Sequence, residues 1–208
     1  MSKFLLINGS PNEKGCTAAA LGEMSAEFER LGAQSEILWL GKKPVQDCIA
    51  CCKCSETGRC VFDDDVNRAA ARIDEFVGIV VGSPVYYGGP TGRVTSFLDR
   101  LFFSVPAEKF AGKLAASVVS CRRGGATSAF ERLNQFYLIE NMVVAGSQYW
   151  NQVHGSTPDE VKQDIEGLQT MRTLAKNMVW LAESIAAGET SGVCPPDYEQ
   201  KTFTNFIR

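Results

Sequence analysis

Short apolar runs alternate along this chain with longer segments whose apolar residues recur three and four positions apart. The first pattern is that of a buried strand, and the second is that of one helix face. "KFLLING" (3–9), "SEILWL" (35–40), "FVGIVVGSPV" (76–85), "KLAASVVSC" (113–121) and "NMVVAGS" (141–147) predict five strands. Between them, "TAAALGEMSAEFERLG", "DDDVNRAAARIDE", "TGRVTSFLDRLFF" and "ATSAFERLNQFYLIE" predict helices, the first stopped by Gly32. The acidic run 63–65 stands where helix capping and the helix dipole favour it, ahead of an alanine-rich segment. Residues 157–189 predict one long final helix, with Thr157 as N-cap, Pro158 at the first helical position and Gly188 near the end. Strict strand–helix alternation predicts a doubly wound, three-layer α/β/α domain around a parallel sheet. We take residues 1–188 as that domain, with a cysteine-rich loop at 48–60, and residues 189–208 as an extended tail.

Ligands of such sheets bind beyond the carboxyl ends of the strands, which directs attention to three loops. "NGSPNEKGCT" (8–17) joins a strand to a helix and is built from small polar residues. Its backbone N–H groups, the hydroxyls of Ser10 and Thr17 and the helix N-terminus can together hold a phosphate. It has no late Gly-Lys pair and no GxGxxG, which argues against ATP and against a dinucleotide pyrophosphate. "GSPVYYGGPTGR" (82–93) offers a turn stiffened by Pro84, glycines that permit close backbone approach, and Tyr86 or Tyr87 to pack beside a flat ring. "SCRRGGATSA" (120–129) places Arg122, Arg123, Gly124 and Gly125 ahead of a helix, where a cation or an amide can face negative charge.

Bulk properties narrow the field. Apolar residues make up 45% and charged residues 22% of 208, as in ordinary water-soluble proteins. A net charge of −3 provides no basic field for nucleic acid or anionic lipid. No secretory signal and no membrane-spanning run is apparent, so a cytoplasmic location without membrane or nucleic-acid partners is expected. Single His154 has no second histidine or paired acid close in sequence, and a structural use is expected for it. Five of the eight cysteines fall within "CIACCKCSETGRC" (48–60). In the cytosol such clusters bind metal or do redox chemistry more often than they form structural disulfides. Four thiolates so close in sequence can wrap a [4Fe–4S] cube, can hold zinc, or can be plain loop thiols.

The three loops, with "GSQYWNQVHG" and the terminal "TNFIR", resemble the flavodoxin-like NADPH-dependent FMN reductase family over nearly the whole chain. That resemblance implies a five-stranded sheet of order 2-1-3-4-5 and one noncovalent FMN. It implies Ser10, Asn12 and Thr17 at the phosphate, Pro84, Val85, Tyr86, Tyr87 and Gly88 along the flavin ring, and Arg122, Gly124 and Gly125 on its other side. Many members have arginine where this chain has Asn12, and asparagine where it has Cys16, which shifts phosphate binding toward Lys14 or the backbone. The spacing Cys48-x2-Cys51-x2-Cys54-x5-Cys60 is similar to that of the iron–sulfur flavoprotein branch, which implies these four as cluster ligands and Cys52 as an extra. The implied function is FMN-dependent electron transfer, with NAD(P)H as donor and a quinone, free flavin or redox protein as acceptor, in a homodimer or homotetramer. The alternatives are an electron carrier using FMN and a [4Fe–4S] cluster with a ferredoxin-like partner, and a flavin redox sensor without turnover. No side chain is expected to act as general acid or base.

Overall fold

β1 (Lys3–Asn8), β3 (Gly78–Pro84) and β4 (Leu114–Cys121) form the centre of the sheet, and nearly every residue in them is buried. The computed structural model describes residues 1–206. β2 (Gln34–Trp39) pairs with the outer side of β1, and β5 (Val143–Val144) with that of β4, so the order is β2-β1-β3-β4-β5 with every pairing parallel. This is the expected five-strand order. A sixth strand, β6 (Gln152–His154), was not expected; it pairs with Val119–Cys121 of β4, beyond the reach of β5. Its three residues are too few and too polar to register as an apolar run.

Because side chains alternate across a strand, each central strand feeds two cores. Leu5, Ile7, Ile79 and Val81 face one layer. It is built with α3 (Asp65–Ala70), α4 (Gly92–Ser104) and α5 (Ala126–Ile139). Phe4, Leu6, Val80, Ala116 and Val118 face the other layer, against α1 (Cys16–Arg30) and the final helix. Each fully buried aliphatic or phenyl side chain contributes about 1.5–3 kcal/mol, so the continuous apolar runs of β1, β3 and β4 fix the middle of the fold.

Three helical expectations are corrected. The segment after the acidic run is helical only over Asp65–Ala70, followed by a single 3-10 turn at Ile73–Glu75. The cysteine loop contains one short helical turn, α2 (Cys54–Thr57). The last segment is two helices, α6 (Pro158–Val161) and α7 (Ile165–Thr190). The break lies at Asp164, whose carboxylate accepts from Gly167 N at 2.9 Å as the cap of α7 and from His154 N at 2.7 Å. Thr157 caps α6 as expected, its hydroxyl accepting from Glu160 N. Beyond Thr190 the described residues form no helix or strand, and the last two residues of the "TNFIR" match lie outside the described residues. Among the described residues no helix is long and apolar enough to cross a membrane.

Candidate functional site

The three loops meet at the carboxyl edge of the sheet and are tied to one another. Gly9 N donates to Gly82 O at 2.8 Å, and Thr91 Oγ1 donates to Gly9 O at 2.8 Å, which joins the first loop to the second. Val85 N donates to Ser120 O at 3.0 Å, and Ser128 Oγ donates to Gly88 O, which joins the second to the third. The first and third are joined by Thr17 Oγ1 and Ser120 Oγ, 2.8 Å apart. Gly9 is needed for this closeness, since a Cβ there would stand 2.7 Å from Val94 Cβ.

In the first loop Ser10 is buried, and its Oγ accepts from Asn12 N at 3.1 Å, leaving the hydroxyl proton to point elsewhere. Trp39 Nε1 donates to Ser10 O at 2.8 Å and fixes the turn. The side chains of Asn12 and Lys14 are exposed. Gly15 stands at the N-cap of α1 without a side-chain cap, and no acidic residue occupies the first turn. The first-turn N–H groups of α1 are therefore open to an anion. Thr17 is brought to the same place but is deeply buried, with Ser120 as its partner. Cys16 Sγ lies 3.5 Å from Gly155 O, and burial pushes its pKa up. It packs, partly buried, beside the second core.

The second loop folds back at Tyr86–Gly89, with reciprocal bonds Tyr86 N to Gly89 O at 2.8 Å and Gly89 N to Tyr86 O at 3.0 Å. Tyr87 and Gly88 both have positive φ, 52° and 78°, as a two-residue type I′ hairpin turn requires. Tyr87 thereby stands free in solvent, with Tyr86 half exposed beside it, while Pro84 and Val85 are partly buried beneath. Gly125, at φ 87°, packs under this turn; a Cβ on it would stand 2.9 Å from Val85 Cγ1 and 3.1 Å from Gly88 Cα. Arg122 and Gly124 are exposed on the same rim. Next to it, Tyr149 and Trp150 meet edge to face at 5.0 Å, both about half exposed. His154 Nδ1 lies 3.5 Å from Cys121 Sγ, consistent with the structural use expected for this histidine.

The cysteine loop lies between β2 and α3. Cys48, Cys51, Cys54 and Cys60 line one small cavity, rimmed by Ile49, Val61, Phe62 and Phe103. Burial pushes the Cys54 thiol up, and the nearby Cys60, Cys51 and Cys48 push it the same way. Cys52 also borders this cavity, but its Sγ donates to Ala50 O at 3.6 Å. Ala50 and Cys52 both take positive φ, 52° and 55°, so the chain coils tightly between Cys51 and its neighbours. Among the described residues no three His, Cys, Asp or Glu side chains are gathered closely enough for a single ion. Four thiolates on zinc converge at ~2.3 Å from one atom. A [4Fe–4S] cube binds one cysteine thiolate at each iron, and the four cysteines at this cavity supply that donor set.

Two residues that hold this loop were not anticipated from the sequence. Asn67 of α3 accepts from Cys60 N at 2.9 Å and donates to Cys60 O and Phe62 O, both at 2.9 Å. Arg100 of α4 is buried and donates to Cys60 Sγ at 3.2 Å. The available signal was an arginine within three residues of Phe97, Leu98 and Leu101 on the apolar face of "TGRVTSFLDRLFF". Asp64 caps α3 as the acidic run predicts, and it also pairs with Arg100.

The profile of the NADPH-dependent FMN reductase family matches residues 2–156. An iron–sulfur flavoprotein of Methanocaldococcus jannaschii is 31% identical over 193 residues, 88% of this chain and 98% of that relative. An iron–sulfur flavoprotein of Archaeoglobus fulgidus is 30% identical over 195 residues, 88% of this chain and 96% of its own length. RosB, whose crystal structure holds an 8-demethyl-8-formylriboflavin-5′-phosphate intermediate, superposes with a TM-score of 0.69 at 14% identity, over 100% of this chain and 94% of that one. At that identity the likeness is one of fold.

Proposed function

This chain belongs to the NADPH-dependent FMN reductase family and is an FMN-dependent oxidoreductase, and on that premise we propose that it also carries a [4Fe–4S] cluster on Cys48, Cys51, Cys54 and Cys60. The observation that carries the proposal is that these four cysteines line one cavity with an apolar rim. The iron–sulfur flavoproteins that match nearly its whole length support the same reading.

Bound FMN supplies the redox chemistry, since a flavin ring can take up a hydride or single electrons. The protein binds and orients it. Ser10, Asn12, the first-turn amides of α1 and Thr17 hold the phosphate; Ser10 Oγ accepts from Asn12 N and still has its own hydroxyl proton to donate. Pro84, Val85, Tyr86, Tyr87 and Gly88 line one side of the ring, and Arg122, Gly124 and Gly125 the other. Electrons enter from NAD(P)H or a ferredoxin-like protein and leave to a small-molecule or redox-protein acceptor. The chain acts as a homodimer or homotetramer, which would cover the exposed Leu138, Ile139, Tyr149 and Trp150.

Purification without oxygen tests the whole reading. We expect one extractable FMN per chain, stoichiometric iron and sulfide after reconstitution, an EPR signal on reduction, and sedimentation as more than one copy. Cys54→Ser should abolish the EPR signal and Cys52→Ser should keep it. FAD in the extract, or reconstituted protein with no stoichiometric iron, would sink the corresponding half. Steady-state NAD(P)H oxidation with a quinone then separates a reductase from a carrier that accepts electrons only from a redox protein.

A further inference from the structure

We infer that Arg100 and Asp64 form a charge device that sets the reduction potential of the centre on the cysteine loop. This rests on the reading that Cys48, Cys51, Cys54 and Cys60 bind a cluster.

Every N–H of the Arg100 fork points into this loop. Nε donates to Cys60 Sγ at 3.2 Å. Nη1 donates to Gln46 O at 3.2 Å and to Asp64 Oδ2 at 2.6 Å. Nη2 donates to Phe62 O at 3.2 Å and to Asp64 Oδ1 at 2.9 Å. The guanidinium also lies 5.0 Å from the Phe62 ring centroid, and the residue is only 1% exposed. A buried cation is costly unless paired, and Asp64 supplies the counter-charge from the rim, where its side chain is 35% exposed.

A clamp for the loop needs only the carbonyl and carboxylate bonds. The bond to Cys60 Sγ is different in kind, because that sulfur is a proposed ligand. Hydrogen bonds to ligand sulfurs, net charge and solvent exposure set the potential of such centres. One electron taken up adds one negative charge to the centre. The guanidinium, with its donated N–H, favours that more negative form and so raises the potential. The Asp64 carboxylate, on the far side of the same fork, partly cancels this effect. The two residues therefore act with opposite signs at low local dielectric.

The test is a redox titration of anaerobically reconstituted protein with dithionite, followed by EPR, for wild type, Arg100→Gln and Asp64→Asn. Asn at 64 retains an oxygen for the N-cap bond to Val66 N. We expect Arg100→Gln to move the midpoint to a more negative value and Asp64→Asn to move it to a more positive one. A clamp alone predicts unchanged midpoints or shifts in one direction, since both substitutions would only loosen the loop and admit water. Either of those results overturns the inference while leaving the cluster in place. If Arg100→Gln fails to take up iron, Asp64→Asn is compared with Asp64→Glu, which disturbs the geometry but keeps the charge: a midpoint raised by Asn and not by Glu supports the inference, and equal shifts or none overturn it. Wild type without stoichiometric iron would fail the cluster reading itself and this inference with it.

Discussion

At residue scale, Thr17 shows what a motif can and cannot convey. The sequence places its hydroxyl at a phosphate loop; the structure gives that hydroxyl a partner, Ser120 Oγ, at 2.8 Å. A hydroxyl has one donor and two acceptor positions, so a phosphate contact and the Ser120 bond can coexist. If Thr17 donates to phosphate while accepting from Ser120, Thr17→Ala removes about 1–2 kcal/mol of FMN binding, roughly a 5–30-fold rise in Kd. Flavin fluorescence titration of apoprotein measures it. Ser120→Ala should change Kd less, and equal changes in melting temperature with unchanged Kd for both would assign the pair to packing only. The cysteine spacing was visible in the sequence, and the structure brings Cys48, Cys51, Cys54 and Cys60 to one cavity. Arg100 was not, since a charged residue in an amphipathic helix ordinarily belongs to the wet face, and only tertiary packing turns it toward Cys60.

The hairpin turn at Tyr86–Gly89 and the start of α5 work as a pair at element scale. Gly125 holds φ 87° under that turn, with space for no Cβ against Val85, whereas a Cβ on Gly124 would meet nothing within 4 Å. A left-handed backbone costs a residue with a Cβ about 1–2 kcal/mol. For a chain of this size that lowers Tm by about 2–8 °C. Gly125→Ala should show this loss in calorimetry together with weaker FMN binding, whereas Gly124→Ala should keep the wild-type Tm, because a Cβ there meets open space. A lowered Tm with unchanged FMN affinity in Gly125→Ala would remove the turn from the flavin site. Strands and main helices were legible from periodicity because burial on one or both faces dictates it. The break at Asp164 was not, because the carboxylate that ends one helix and caps the next is held by His154 N. That contact exists only once β6 has docked on β4.

Across the whole molecule, the parallel sheet followed from alternation and its strand order from the family resemblance, while the way the sheet is pinned at its margin did not. Lys3 and Arg72 bind Glu36 and Glu75 in one network that links β1, β2 and the turn before β3. Bonds from Arg72 and then Lys3 hold the Glu75 carboxyl down at about 2, below its ordinary 4.5. A depressed carboxyl contributes stability above its unfolded value, and the contribution fades as pH falls through the folded value. Glu75→Gln should therefore lower Tm modestly at neutral pH, the network being exposed. The difference from wild type should shrink between pH 4.5 and about 2. A difference that stays constant across that window would count against the network. The outer side of β4 has a different consequence. It is occupied by two residues of β5 and three of β6, offset along its length. An invading strand from another molecule finds no long row of free amides and carbonyls there to pair with. The short, split border that the sequence pattern only half revealed thus closes one margin of a highly apolar sheet to fibre-like growth.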